Sequence, residues 1–117
     1  MSVPQRFITS QDAPANLHAR LNEAVDKFDF KNTQDWESIT TISPKAELRE
    51  IEVYGASSIR DGELTYAPAS VYVNFLFDGD EGEIEFPENL LARVYFKVIG
   101  DEVKIERIEP DLEALQR

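Results

Sequence analysis

The chain has 117 residues, 42% of them apolar and 30% charged, with no cysteine. That length and balance describe one globular domain with enough apolar surface for a core, and the missing thiols exclude disulfides, cysteine-ligated zinc and thiol chemistry. Twenty-three acids against twelve bases leave a formal net charge of −11, a field that repels nucleic acid and anionic membranes and draws basic surfaces.

Met1 to Ser10 carries no apolar stretch behind a basic start, and no run approaches the length of a membrane helix. A cytosolic protein without a leader is expected. Residues 1–11 read as a flexible polar lead-in, with Phe7 and Ile8 as its apolar points of attachment. Asp12 suits an N-cap, with Pro14 in the first turn. Leu17, Leu21, Val25 and Phe28 then step by four, four and three, which draws one helical stripe. Glu23 and Lys27 form an i,i+4 pair in the favourable order. The predicted helix ends at about Phe28.

Trp36, Ile39, Thr40, Thr41 and Ile42 are strand formers, so Asp35 to Ile42 is predicted as a short strand. After the turn at Ser43-Pro44-Lys45, the stretch from Leu48 to Ile59 alternates. Ile51 and Val53 share one face, and Glu50 and Glu52 share a wet one. Asp61-Gly62 is a hairpin turn signal that sets Ile59 opposite Leu64. Carried back, this register puts Val53 opposite Ser70, whereas Val53 and Val71 should both face the core. A one-residue β-bulge at Pro68, which cannot donate to a ladder, resolves the mismatch.

Ser70 to Phe77 is the densest strand-forming run. Val71, Val73, Phe75 and Phe77 fall on one face, and Tyr72, Asn74 and Leu76 on the other. This is a central strand, covered on one side and partly covered on the other. Asp78-Gly79-Asp80-Glu81-Gly82-Glu83 reads as a polar turn, and Ile84-Glu85-Phe86 as a short strand ended by Pro87. Leu91 to Ile99 is a second strong strand. The turn at Gly100-Asp101 pairs Val98 with Val103 and Phe96 with Ile105, apolar against apolar. The same register sets Lys97 opposite Lys104, with Arg93 on that face, and a neighbouring strand carrying Glu50 and Glu52 would neutralise them. Pro110 stops the last strand, and Asp111 to Gln116 suits a final helical turn.

The sum is an α+β domain: an N-terminal helix packed across an antiparallel β-meander of five or six strands. Leu17, Leu21 and Val25 should share one core with Val71, Val73, Phe75, Val94 and Phe96. The order of elements resembles that of cystatin-like and NTF2-like folds, which implies a helix lying over a curved sheet.

Catalytic and metal chemistry find little to stand on. His18 is the single histidine, on the flank of the first helix, so there is no histidine pair for a metal. There is no Gly-x-Ser-x-Gly elbow, and the five glycines are spread among turns instead of forming a phosphate cradle. Ser57 and Ser58 precede a turn, where serine is expected. Read as an EF-hand loop starting at Asp78, the chain has Gly82, Glu83 and Asn89 where an oxygen ligand, glycine and glutamate are required. The expectation is no enzyme, no cofactor and no metal.

What remains is charge. Asp78, Asp80, Glu81, Glu83, Glu85 and Glu88 lie within eleven residues that contain no base. They are the predicted partner-binding residues. The predicted function is an acidic, non-enzymatic protein-binding domain that covers a basic surface, an inhibitor or antagonist of the immunity, antitoxin or anti-defence type. It would be a monomer, or a homodimer through a sheet edge. The alternative is a small-molecule-binding or sensing domain whose pocket, between helix and sheet, is lined by Trp36, Tyr72 and Phe75.

Overall fold

The computed structural model describes residues 6–7, 17–55, 58–61, 64–100 and 102–113. The expected Asp12 cap with Pro14, the contact of Ile8, Ser57, the Gly62 turn position and the helical turn beyond Glu113 lie outside them. The layout is α+β. Two helices, α1 (Leu17–Lys27) and α2 (Gln34–Ile42), precede an antiparallel sheet of six strand segments, β1 (Arg6–Phe7), β2 (Glu47–Val53), β3 (Ile59–Asp61), β4 (Leu64–Gly79), β5 (Gly82–Ile99) and β6 (Glu102–Pro110). They fill four main positions, because β2 and β3 follow one another along the same side of β4, and the two-residue β1 pairs only with β3.

The α1 stripe is as its spacing predicts. Leu21 and Val25 are buried, and Leu17 and Phe28 are partly buried against the same core. Lys27 reaches Glu23 at 3.1 Å. A 3-10 turn at Phe30–Asn32 buries Phe30 and leads directly into α2.

The second helix replaces the strand expected at Asp35–Ile42. Local chemistry explains the difference. Thr33 caps the helix, its Oγ1 accepting from the Trp36 N–H at 3.3 Å, and Asp35 and Glu37 occupy the first turn, where negative charge meets the helix dipole. The strand-forming threonines are accommodated because Thr40 and Thr41 donate back to the Glu37 carbonyl at 3.0 and 2.9 Å. Trp36 and Ile39, three apart, turn to the core together.

Strand β4 is central, with β2 and β3 on one side and β5 on the other. The turn after β3 does not set Ile59 opposite Leu64; Ile59 pairs with Tyr66 and Asp61 with Leu64. Nor does the bulge sit at Pro68. Val53 pairs with Ala69 and Ile59 with Tyr66, so between these two pairs the chain has five residues on the β2–β3 side and two, Ala67 and Pro68, on β4. The extra residues belong to the side opposite the proline. Pro68 uses its carbonyl to accept from the Tyr54 N–H at 2.8 Å, so the proline still takes part in the ladder through the one group it has.

The β5–β6 register is the predicted one near the turn: Phe96 with Ile105, Lys97 with Lys104 and Val98 with Val103. Gly100 has φ 63°, the left-handed conformation that a tight turn needs. Beyond Phe96 a bulge inserts Glu106, which lets Ile105 and Ile108, three residues apart, both turn to the core. Glu50 and Glu52 cannot neutralise Lys97 and Lys104, because β2 lies on the far side of β4. Glu106 does so for Lys97, at 3.5 Å.

The predicted core residues form one cluster. Leu21 and Val25 of α1 and Trp36 and Ile39 of α2 cover Val71, Val73, Phe75, Val94 and Phe96 on one face of the sheet, with Leu17 packed at the margin. Among the described residues no helix is long and apolar enough to cross a membrane.

Candidate functional site

Pro87 does not end a strand. Strand β5 runs unbroken from Gly82 to Ile99, and the reason lies in edge geometry. The Leu91 carbonyl accepts from the Asp111 N–H at 2.7 Å on the outer side of β5. Alternation along the strand turns the backbone groups of Asn89, Pro87 and Glu85 to that same outer side. Pro87 therefore lacks a donor only on an edge where, among the described residues, no strand lies beside it.

A long two-stranded ribbon results. Strand β2 reaches no further along β4 than Asn74, and β6 no further along β5 than Ala92. Past those points, among the described residues, β4 and β5 pair with each other alone, down to Gly79 and Gly82 around the two-residue turn Asp80-Glu81. Gly82 takes φ 129°, a backbone conformation that side chains disfavour.

Its two faces differ. On the face that carries the core further back, Phe75 lies opposite Phe86 and Phe77 opposite Ile84. Phe77 is 36% exposed, Ile84 47% and Phe86 49%. Phe77 and Phe86 meet edge to face at 5.7 Å, so the two rings of the apolar stripe pack on each other. Glu88, opposite Val73, borders it. On the reverse face Asp78 pairs with Glu83, and Leu76 with Glu85.

The six predicted acids are therefore split. Asp78, Glu83 and Glu85 share the reverse face, Asp80 and Glu81 form the turn, and Glu88 lies on the apolar face. Two of them have a base. Lys45 reaches Asp78 at 3.1 Å and Glu83 at 3.7 Å. The hydrogen bond that Lys45 donates to Asp78, reinforced by both carboxylates' charge, holds the Lys45 ammonium above its ordinary pKa. Thirty-three residues separate Lys45 from Asp78, which is why a local reading of the acidic run found no base.

Trp36, Tyr72 and Phe75 do not share a cavity. Trp36 meets Phe30 edge-on at 5.9 Å within the core, and Phe75 is buried in the same cluster. Tyr72 lies on the opposite face of the sheet, in a groove of about 570 Å³ with Arg49, Asn74, Glu85 and Pro87. Burial, and after it the Tyr54 hydroxyl, raises the Tyr72 phenol above its ordinary pKa.

The face of the sheet away from α1 and α2 brings together residues that the sequence shows only singly, Tyr72 and Arg93 among them. All four tyrosines lie on it. Tyr66 and Tyr95 are cross-strand partners at 5.7 Å, the Arg93 guanidinium stacks on Tyr66 at 5.0 Å, and the Tyr54 hydroxyl meets Ser70 Oγ at 3.1 Å. Leu91, 68% exposed, adjoins them. Arg107 reaches round the sheet edge to Asp35 with two bonds, of 2.9 and 3.1 Å, and these hydrogen bonds hold it charged above the ordinary arginine range. The signal for this face was the alternation of tyrosine with small core residues in β4.

His18 is spoken for. Its Nδ1 accepts from the Gly55 N–H at 3.2 Å, and Asn22 lies at 3.2 Å from Nε2. Ser58 Oγ donates to the Gly55 carbonyl at 2.6 Å. Among the described residues no three histidine or acidic side chains converge on a common point. Millimolar calcium is accordingly expected to leave the melting temperature where magnesium leaves it. A rise of many degrees with calcium alone would reveal a site.

Compared with protein families, with curated proteins and with solved structures, the chain has no match in any of the three.

Proposed function

We propose that this chain is an acidic, non-enzymatic, cytosolic protein-binding domain. It acts as an inhibitor or antagonist, of the immunity, antitoxin or anti-defence type, by covering a basic functional surface of another protein. The observation that supports this reading is the ribbon. It carries a paired aromatic stripe beyond the reach of both helices, and the acids at its turn and on its faces lie in a segment, residues 77–92, without lysine or arginine. Exposed aromatics that pack on each other supply contact area, and the surrounding charge steers a basic partner to them.

Association kinetics test it. Changing Asp78→Asn, Asp80→Asn, Glu81→Gln and Glu83→Gln together is expected to leave the fold intact, since exposed ion pairs such as those of Lys45 add little stability. It should slow association with the partner, and high salt should slow the unaltered chain in the same way. Identical rates for both chains at low and high salt would end this reading.

A further inference from the structure

Resting on that protein-binding reading, we propose that the ribbon's apolar face seats a basic amphipathic helix of the partner, laid along Phe77, Ile84 and Phe86 as a continuation of the layer that α1 and α2 form over the rest of the same face.

The edges of the ribbon exclude the simplest rival, an added strand. On the β5 side the outward backbone position at Pro87 has no N–H, in the middle of the open stretch between Glu83 and Asn89. On the β4 side the Ser43 hydroxyl takes both edge groups of Leu76, accepting from its N–H at 3.1 Å and donating to its carbonyl at 2.8 Å, and Lys45 bridges Asp78 and Glu83 just beyond. A partner strand would meet a missing donor on one side and an occupied edge on the other. The face is left.

That face has a shape already matched by helices in this molecule. Val71, Val73 and Phe75 of β4 are covered by α1 and α2, and their row continues directly into Phe77, with Ile84 and Phe86 opposite. From Phe75 to Gly79 is four strand steps, about 13 Å at the strand rise, which a helix of about nine residues spans. Two strands offer a strip one helix wide. Among the described residues nothing covers it.

Charge chooses the occupant. Glu88 borders the stripe, and Asp80 and Glu81 close its far end. A second copy of this chain would bring the same acids and another net charge of −11 against them. A helix with lysines or arginines flanking its apolar row meets them with opposite charge.

The experiment uses the full chain, isotope-labelled, and three synthetic probes of equal length. One is a basic amphipathic helix, one is the same helix with glutamate in place of its basic residues, and one is a basic strand-forming peptide with alternating apolar residues. The expected result is that the basic helix binds, shifts the amides of Phe77, Ile84 and Phe86, and binds about tenfold tighter than either other probe. Ile84→Ser with Phe86→Ser should remove that advantage, with the melting curve confirming the fold. Glu88→Lys, which leaves the apolar stripe untouched, should weaken the basic helix several-fold.

Equal or tighter binding of the strand probe overturns the inference, as does binding of the basic helix outside the ribbon or no binding at all. Self-association of the chain that the Ile84→Ser and Phe86→Ser pair abolishes would make a second copy the occupant and also overturn it. These failures leave the protein-binding reading standing, because that reading falls only with the salt and four-acid kinetics described above.

Discussion

Replacing Phe75 by alanine is expected to cost about 3–5 kcal/mol in denaturant melts, the range for deleting a buried phenylalanine. Phe75 is 2% exposed and belongs to the cluster that both helices cover. On the core face of β4 it is also the last buried residue before the ribbon leaves the body, Phe77 being exposed, so the surroundings are tied to the sheet and have little freedom to collapse into the space. The contrast that isolates burial lies directly opposite. Phe86 pairs with Phe75 on the same face but is half exposed, and Phe86→Ala should cost no more than about 1 kcal/mol, nearer the range of surface changes. Equal losses for the two variants, or a loss under about 1 kcal/mol for Phe75→Ala, would show that the core does not extend to the root of the ribbon.

Ser43→Ala is expected to cost about 2–3 kcal/mol, although it removes a single oxygen. The Ser43 side chain is fully buried, and its hydroxyl serves both backbone groups of Leu76, one as acceptor and one as donor. Strand β2 has its last partner on β4 at Asn74, so without the hydroxyl those two groups would have no partner among the described strands. A buried backbone donor and acceptor left unpaired carry their desolvation penalty in full. Ser38→Ala is the control. Its hydroxyl also bonds a carbonyl, that of Gln34, but at an exposed position, where the change should stay within about 0.5 kcal/mol. Hydrogen exchange at the Leu76 amide should accelerate in Ser43→Ala and not in Ser38→Ala. Unchanged exchange and a loss below about 1 kcal/mol would mean that water replaces the hydroxyl.

Much of the layout was legible in the residues because their periodicity and their burial agree. Leu17, Leu21 and Val25 repeat at the helical step, Val71, Val73 and Phe75 at the strand step, and each series meets the other in one cluster. The pairing of Phe96 with Ile105 and Val98 with Val103 followed from a glycine turn and apolar matching alone. The second helix was not legible from propensity. Threonine and isoleucine at residues 39–42 favour strand, and the helix wins through the Thr33 cap, the acidic first turn and the burial of Trp36 and Ile39 on one side. The site was half legible. The six acids and the apolar residues of the ribbon could be counted. That Pro87 lies within a continuous strand could not, because a proline reads as a strand stop until the open edge beside it is known.

By itself the sequence determined the α+β class, the stripes that make the core, the acidic charge and the turn at Gly100. These depend on residue type and near-neighbour spacing, which the chain carries locally. Tertiary structure alone decided where the acids point, which of them have a base, and which backbone edges remain open. Lys45 meets Asp78 across 33 residues, Ser43 meets Leu76 across the same separation, and Glu106 instead of Glu50 answers Lys97. Each of these contacts depends on strand order and register, which bring together residues whose separation along the chain leaves no periodic trace.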